Sequence, residues 1–456
     1  MDTKSTDIII IGAGLTGLSL AYYLKKAGKR FILLEQQDRT GGVINTLTEN
    51  GFTFETGPNT GVLSSPELAG LFDELNGKCT LVTANPQAKK RYVWKKDRWY
   101  ALPSGPVSAI KTPLFSLYDK FRILGEPFRK PGTNQDETVA ELVVRRLGRS
   151  YLDYAVDPFI SGIYAGDPNK LITRYALPKL YALEQNYGSF IRGAIKKKGE
   201  PKTLLQQKAT GEVFSVEGGL KQLIQALNTE IGTGNIQTGC KDIRVTPSSD
   251  KFQVTYVNTA GERVELCASK VVTTVGGYAL PALLPFISGD ILKPLFNLVY
   301  AGVVQVVAGY KNWNGTKLDA FGGLMPTKEK HGVLGILFPS AIFPDRAPEK
   351  GALLSIFLGG VKNPGLINKS DGDIEALVYK EIGETMNMTD RCDMLGIFRY
   401  PYAIPQYDIT SSERLNAIDS IQATYPGLIL AGNIRDGIGM PDRVKQASQL
   451  SELLIS

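Results

Sequence analysis

Four consecutive isoleucines, Ile8 to Ile11, run directly into Gly12-Ala13-Gly14-Leu15-Thr16-Gly17. The apolar run reads as a buried strand, and each glycine after it solves a separate problem. Gly12 permits a tight turn, Gly14 lets backbone approach a pyrophosphate, and Gly17 lets the next helix pack close to its strand with its first amides facing the phosphate. Leu18, Ala21, Tyr22 and Leu24 give that helix an apolar face. A second strand, Phe31-Ile32-Leu33-Leu34, stops on Glu35, about 20 residues beyond the glycines, where a carboxylate accepts hydrogen bonds from ribose hydroxyls. The order is that of a dinucleotide-binding βαβ unit. A ligand-free unit of the same shape leaves Glu35 without a task.

A chain of 456 residues exceeds what one core supports, so two or three lobes are expected. Cys79, Cys240, Cys267 and Cys392 lack CxxC spacing, which argues against a zinc site or a disulfide framework and fits a reducing compartment. The single histidine, His331, lies in a polar stretch and reads as a loop residue. It rules out a histidine triad or a multi-histidine metal centre, and no metal is expected. The net charge of +7 is spread along the chain, and its densest run, Lys196-Lys197-Lys198, reads as a solvated helix end. Without basic-aromatic interleaving there is no nucleic-acid signal. A mild positive field favours a carboxylate-bearing substrate or an anionic lipid surface. Ile8 to Leu24 is uncharged, but its glycines sit at cofactor spacing and no other stretch is long enough to span a bilayer. The expectation is a cytoplasmic protein, neither transmembrane nor secreted, able to rest on the inner face of the membrane.

The pattern divides the chain into five segments. Residues 1–85 form the first part of the nucleotide domain. Residues 86–210 show few strand signals and read as a helical lobe, with helical patterns at Val139 to Leu147 and Leu177 to Ala194. Residues 211–280 return to the nucleotide domain through a strand at Val213 to Val216, a helix at Leu220 to Leu227, a hairpin (Phe252 to Val257, Arg263 to Leu266) and a buried parallel strand, Lys270 to Val275. Residues 281–415 form a β-rich substrate domain with strands near Val303 to Val307, Gly332 to Phe338 and Leu353 to Leu358. Residues 416–456 supply a last buried strand, Gly427 to Asn433, and a helix, Asp442 to Leu454. The fold class is α/β (α+β overall): a discontinuous Rossmann-like domain carrying an inserted β-rich domain and a helical lobe.

Later elements favour FAD over NAD. Arg39-Thr40-Gly41-Gly42 lies where a second backbone turn reaches the same pyrophosphate. Phe52-Thr53-Phe54-Glu55-Thr56-Gly57-Pro58-Asn59 adds a strand and a turn. A third glycine junction, Ala431-Gly432-Asn433, leads toward a helix whose N-terminus suits the negative charge of a reduced isoalloxazine.

The whole pattern resembles the oxygen-dependent protoporphyrinogen and coproporphyrinogen oxidases of the flavin amine oxidase superfamily. The closest segments are Arg91-Tyr92-Val93-Trp94 with Ala101-Leu102-Pro103-Ser104-Gly105; Asp157-Pro158-Phe159-Ile160-Ser161-Gly162-Ile163-Tyr164-Ala165-Gly166-Asp167-Pro168; Phe321-Gly322-Gly323-Leu324-Met325-Pro326 with Gly332-Val333-Leu334-Gly335-Ile336; and Tyr402-Ala403-Ile404-Pro405-Gln406-Tyr407. The resemblance implies FAD-dependent oxidation of a porphyrinogen to a porphyrin in haem synthesis, with O₂ as acceptor, hydrogen peroxide as by-product and hand-over to the next haem-pathway enzyme. It implies pyrophosphate contacts at Gly12, Ala13, Gly14, Leu15, Thr16 and Gly17, and adenosine ribose contacts at Glu35 and Gln36. Flavin contacts fall to Gly41, Gly42, Val43, Gly57, Pro58, Asn59 and Thr60, joined near the ring by Gly432, Asn433, Ile438, Gly439 and Met440. Arg91 aligns with an arginine that pairs with a substrate propionate, a task suited to its planar fork; its plain reading is a solvated residue in a basic run. Leu334 and Ile336 are candidates for an apolar wall beside the macrocycle, against strand packing as the plain reading. No side chain is assigned a catalytic proton transfer, because the cofactor carries the chemistry. Two departures stand out: Val43 follows the glycine doublet, and Met440-Pro441-Asp442-Arg443 replaces a turn ending in a small residue.

The resemblance also implies membrane contact by the helical lobe, where Leu102, Pro103, Val107, Ile110, Leu114, Phe115, Leu117, Phe121 and Ile123 interleave with Lys111, Lys120 and Arg122. A lobe packing its own core is the alternative. The rival functions are another flavin oxidase or desaturase of the superfamily, and a non-catalytic carrier on the same fold.

Overall fold

The structure is a computed structural model that describes residues 4–75 and 77–455. Two seven-stranded sheets organise it. In the first, Lys4–Ile11 lies between Phe31–Leu34 and Arg263–Thr273, parallel to both. Alternation along this central strand sends its isoleucines to opposite faces. Ile8 and Ile10 pack on the helices Leu15–Lys26, Pro66–Glu74, Lys221–Ile231 and Met440–Ile455. Ile9 and Ile11 pack on the other side with Gly289–Phe296 and Ser411–Thr424. A strand covered on both faces needs an unbroken apolar run, which is what the sequence supplies.

Arg263–Thr273 is one strand of 11 residues, where a hairpin arm and a separate parallel strand are expected. Its first half pairs antiparallel with Lys251–Val257, and its second half runs parallel to Lys4–Ile11 and to Leu428–Leu430. The exposed Ser269 marks the change of partner. The glycine-flanked strand Val213–Val216 stays out of this sheet and pairs with Gly61–Val62 and Leu81–Thr83.

The second sheet runs Met394–Pro405, Tyr300–Tyr310, Ala352–Gly359, Gly335–Leu337, Ala320–Leu324, Lys90–Trp94, Trp99–Ala101. Its last two strands fall in a stretch expected to be helical. Lys90–Trp94 joins the sheet by running parallel to Ala320–Leu324, a partner too distant in sequence to leave a local sign. The strand expected over Gly332 to Phe338 shortens to Gly335–Leu337. One face of the sheet, with Val304, Val306, Ile336, Ile356 and Leu358, packs on the helix Asp371–Met386.

The helical lobe follows from Pro106–Lys111 onward. The helix expected over Leu177 to Ala194 divides into Pro178–Tyr187 and Phe190–Lys198, because Gly188 adopts φ +73° and Ser189 caps the second helix on the amide of Arg192. The lobe's interior holds a buried ionic cluster. Arg146, fully buried, donates to Glu184 through Nε and to Glu126 Oε1 through Nη1 at 3.1 Å. Glu126 also accepts from Ser189 Oγ at 2.6 Å and from the amide of Phe190 at 3.0 Å. Removing the cation leaves Glu126 buried without an ion-pair partner and Glu184 with Arg145 alone, so Arg146→Ala is expected to cost about 3–5 kcal/mol. The check is a lowered denaturant midpoint together with earlier proteolysis within 106–208.

Candidate functional site

The carboxyl ends of the first sheet's central strands bring distant segments together. Gly12 donates its amide to Leu34 O at 2.8 Å and adopts φ +102°. A Cβ at Gly17 would lie 2.0 Å from Gly12 O, so helix and turn touch backbone to backbone. A Cβ at Gly14 would meet nothing within 4 Å. Gly14 is the N-cap of Leu15–Lys26 and provides no side-chain cap, so the first amides of the helix, at Leu15, Thr16 and Gly17, have no hydrogen-bond partner among the described residues, beside the open space at Gly14. That space is the cradle a pyrophosphate requires, and the residues present fit the group.

Glu35 is buried at the end of the second strand. Its Oε2 accepts from the amide of Ala13 at 2.7 Å and its Oε1 from Gln37 at 2.9 Å. Two amides fix the carboxylate and leave lone pairs for ribose hydroxyls. Gln36 is exposed on the following turn.

The glycine doublet sits against the first turn. Gly41 donates to Ala13 O at 2.8 Å, and a Cβ on Gly42 would lie 3.3 Å from Gly14 Cα. Arg39, which the sequence marked only as part of the motif, wraps this turn and donates to Gly42 O at 2.7 Å. Val43 is exposed, and its carbonyl would lie 2.0 Å from a Cβ on Gly57. Gly57, Pro58, Asn59 and Thr60 are all half-buried, and Asn59 Nδ2 donates to Gly57 O at 3.1 Å. The second sheet supports this turn from below: Gln305 Nε2 donates to Glu55 O at 2.8 Å, and the Tyr400 hydroxyl donates to Thr56 O. Burial raises the carboxyl of Glu55, offset in part by bonds from Thr46 and the amide of Leu220.

The third junction closes on the same point. Gly432, at φ +86°, donates to Gln446 Oε1 at 2.9 Å, and its Cβ would lie 2.6 Å from Thr274 O. Thr274 Oγ1 donates to Gly12 O at 2.9 Å. Thr274 and Gln446 thus tie the first and third junctions, and neither had a signal in sequence beyond its neighbours. Asn433, Ile438 and Gly439 are half-buried and Met440 is buried, leading into the helix Met440–Ile455. Gly437 exchanges hydrogen bonds with the Tyr407 hydroxyl, donating at 3.0 Å and accepting at 3.2 Å. Burial raises the Tyr407 phenol, which keeps its proton for that exchange.

On the second sheet, Arg91 is exposed and no carboxylate pairs with it among the described residues. Its guanidinium rests 5.5 Å from the Phe321 ring. Its neighbours Lys90 and Tyr92 both bond Asp319, at 2.6 Å each. Register places Arg91, Leu324, Leu337, Phe357 and Gln305 on one face of the sheet. Leu334, 9% exposed, packs on that side with Ala165, Val303 and Phe357. Ile336 does not. It is fully buried on the opposite face, against the core of Asp371–Met386, where it cannot touch a ligand beside Arg91. Leu337, one residue on, has the right parity. His331 lies in its loop but is held by Glu381, Nδ1 to Oε2 at 2.7 Å, with its ring edge-on to Trp94 in that same far core.

Comparisons with known proteins find relatives along nearly the whole chain. The model of the flavin containing amine oxidoreductases matches residues 15–443. The chain is 32% identical to protoporphyrinogen oxidase 1, chloroplastic, of Arabidopsis thaliana, over 96% of this chain and 86% of that one. It is 26% identical to coproporphyrinogen III oxidase of Bacillus subtilis (strain 168), over 98% and 97%. A candidate protoporphyrinogen oxidase from Exiguobacterium sp. 255-15 superposes with a TM-score of 0.82 at 24% identity, over 100% and 99% of the two chains.

Two glycines separate fold from ligand. Gly14→Ala adds a methyl only to open space, so apo stability should change by less than about 1 kcal/mol while FAD affinity falls more than tenfold. Gly17→Ala drives a methyl into Gly12 O and should destabilise the apoprotein by about 1–3 kcal/mol. Thermal melts with and without FAD, beside a flavin titration, check both.

The glycine turns, the shared sheet end and the family match over nearly the whole length make this chain a member of the flavin containing amine oxidoreductases, in their branch of protoporphyrinogen and coproporphyrinogen oxidases.

Proposed function

We propose that this protein oxidises a porphyrinogen, protoporphyrinogen IX or coproporphyrinogen III, to the corresponding porphyrin in haem synthesis, with O₂ as acceptor. The observation that carries the reading is the open cradle at Gly14, met by the second glycine turn and the Gly432 junction, with the uncommitted cation Arg91 on the face of the second sheet that also carries Gln305. When bound, FAD would supply the hydride acceptor and the route of the electrons to O₂, with hydrogen peroxide as by-product.

The chain's own residues bind and orient. The amides of Leu15, Thr16 and Gly17 hold the pyrophosphate, Glu35 the ribose, and Gly57 to Thr60 the flavin side of the cradle. Arg91 takes a substrate propionate in a bidentate, charge-assisted pair, because no acid of the protein competes for it. Leu334, Leu337 and Phe357 form an apolar wall that keeps water from the macrocycle. An amine oxidase would have no use for a free arginine in that position, and a carrier would have no need of the intact cradle.

Arg91→Ala is expected to raise the KM by roughly tenfold to a hundredfold, the equivalent of about 1.5–3 kcal/mol for a charge-assisted bond. The measurement is porphyrin fluorescence on both porphyrinogens, with peroxide followed in parallel. Unchanged KM on both removes Arg91 from the site, and no fluorescence from either substrate refutes the activity.

No helix among the described residues is long and apolar enough to cross a membrane. A peripheral contact, on the inner face of the cytoplasmic membrane, is nonetheless supported by the helical lobe. Leu117–Leu124 buries none of its residues; Leu117, Phe121 and Leu124 share one face, with Phe128 exposed beyond them and Lys111 and Lys130 nearby. Leu114 and Phe115 are instead buried, Phe115 stacked on Tyr151 at 4.1 Å, so they belong to the lobe's core. Phe121→Asp with Leu117→Asp should release the protein from co-sedimentation with anionic-lipid vesicles, leaving its melting temperature unchanged. Equal sedimentation of variant and parent would refute the contact.

A further inference from the structure

The loop from Gly432 to Gly439 is held from behind by two arginines with no acid bonded to them. Arg414 is fully buried; its Nε donates to Ile434 O at 3.0 Å and its Nη2 to Ser411 Oγ at 3.2 Å. Arg443, 8% exposed, donates through Nη2 to Arg435 O and Asp436 O, both at 2.9 Å, and through Nη1 to Gln446 Oε1 at 3.1 Å. Three consecutive carbonyls, 434 to 436, are therefore turned onto two buried guanidiniums. Arg414 Nη1 and Arg443 Nε are buried without a hydrogen-bond partner among the described residues.

The nearby acids are committed elsewhere. Asp436 Oδ2 accepts from Gln446 Nε2 at 2.8 Å and from Arg435 Nε at 3.1 Å; Asp442 Oδ2 caps the amide of Gly439 at 3.0 Å; Asp408 Oδ1 takes Thr410 Oγ1 at 2.6 Å. Asp436 is also half exposed, so water screens it. Burying a cation without a bonded carboxylate is costly. Burial lowers both guanidinium pKa values, as that cost requires.

We infer that Arg443, with Arg414 behind it, is a positioning residue for the flavin: it fixes the 432–439 loop and places uncompensated positive charge behind it, raising the reduction potential by favouring the negative charge of the reduced ring. The inference rests on FAD occupying the cradle proposed above. Held at this loop, the cofactor is the anion that offsets two cations the protein leaves unpaired.

The test compares Arg443→Gln, which keeps a donor for the loop carbonyls but no charge, with Arg443→Lys, which keeps the charge. Each is purified with FAD, and its flavin potential is measured by equilibration with reference dyes, beside apo and holo melting temperatures. Arg443→Gln should shift the two-electron reduction equilibrium at least tenfold toward the oxidised form, about 30 mV. Arg443→Lys should stay within threefold of the parent. Arg414→Gln and Arg414→Lys should follow the same pattern. A folded, flavin-loaded Arg443→Gln with the parent's potential overturns the inference. So does failure of every Gln and Lys variant to fold, which would make both arginines purely structural. If the parent itself takes up no FAD, the underlying functional reading fails, and that result is seen before any variant is compared.

Discussion

The structure depends on how closely three backbones approach Thr274. Its hydroxyl bonds the carbonyl of Gly12, its own carbonyl lies against Gly432, and Gly17 packs onto Gly12 with no room for a side chain between them. Each contact is backbone against backbone or against the first atoms of a short polar side chain, so none tolerates a methyl group. Close packing of this kind is unforgiving, because an interior has no slack into which an extra atom can move. Gly14, in the middle of the same turn, has free space in front of it. The turn is rigid where the chain must hold itself together and open where a ligand must enter.

From that point the order extends into the second sheet by few but specific links. Gln305 and Tyr400 reach from it to the carbonyls of Glu55 and Thr56, just before Gly57. On its other flank the helical lobe is tied to the sheet by polar bonds: Lys328 to Asp153 at 3.0 Å, Tyr154 to Glu329 at 2.8 Å, and Asp157 to Thr327 and Lys362. The three acceptor and donor positions on the lobe fall in or beside a π-helical turn, Leu152–Val156, an irregular geometry that recurs at functional sites. Hydrogen bonds thus join the lobe to the turn that follows Ala320–Leu324.

The nucleotide half of the fold was legible because its signals are local. Ile8 to Gly17, the acid at Glu35 and the doublet Gly41-Gly42 each state a conformational need within a few residues. What stayed hidden depended on remote partners or on parity. Lys90–Trp94 pairs locally with Trp99–Ala101, but its place in the sheet depends on the remote Ala320–Leu324, and the hairpin arm at Arg263 carried on into a parallel strand with no punctuation at Ser269. Ile336, named as a candidate for the wall with strand packing as its plain reading, turns to the far core; the strand that holds it is only three residues long, and one position of offset reverses the side. Thr274, Gln446 and Arg39 use their side chains to bond backbone atoms of other residues, which residue type alone cannot reveal. Leu114 and Phe115 are as apolar as Leu117 and Phe121; only the lobe's packing separates core from surface.

The long-range pairing of both sheets has a consequence for synthesis. Ile8 cannot be flanked on both sides until Arg263–Thr273 has emerged from the ribosome, and Leu428–Leu430 comes later still; Arg91 waits for Gly322. For most of translation the nascent chain therefore carries apolar strands with open edges and no mate, the state most prone to pair with a neighbouring copy. A polypeptide built this way has reason to depend on holdase chaperones while it is being made, however well packed it is once finished.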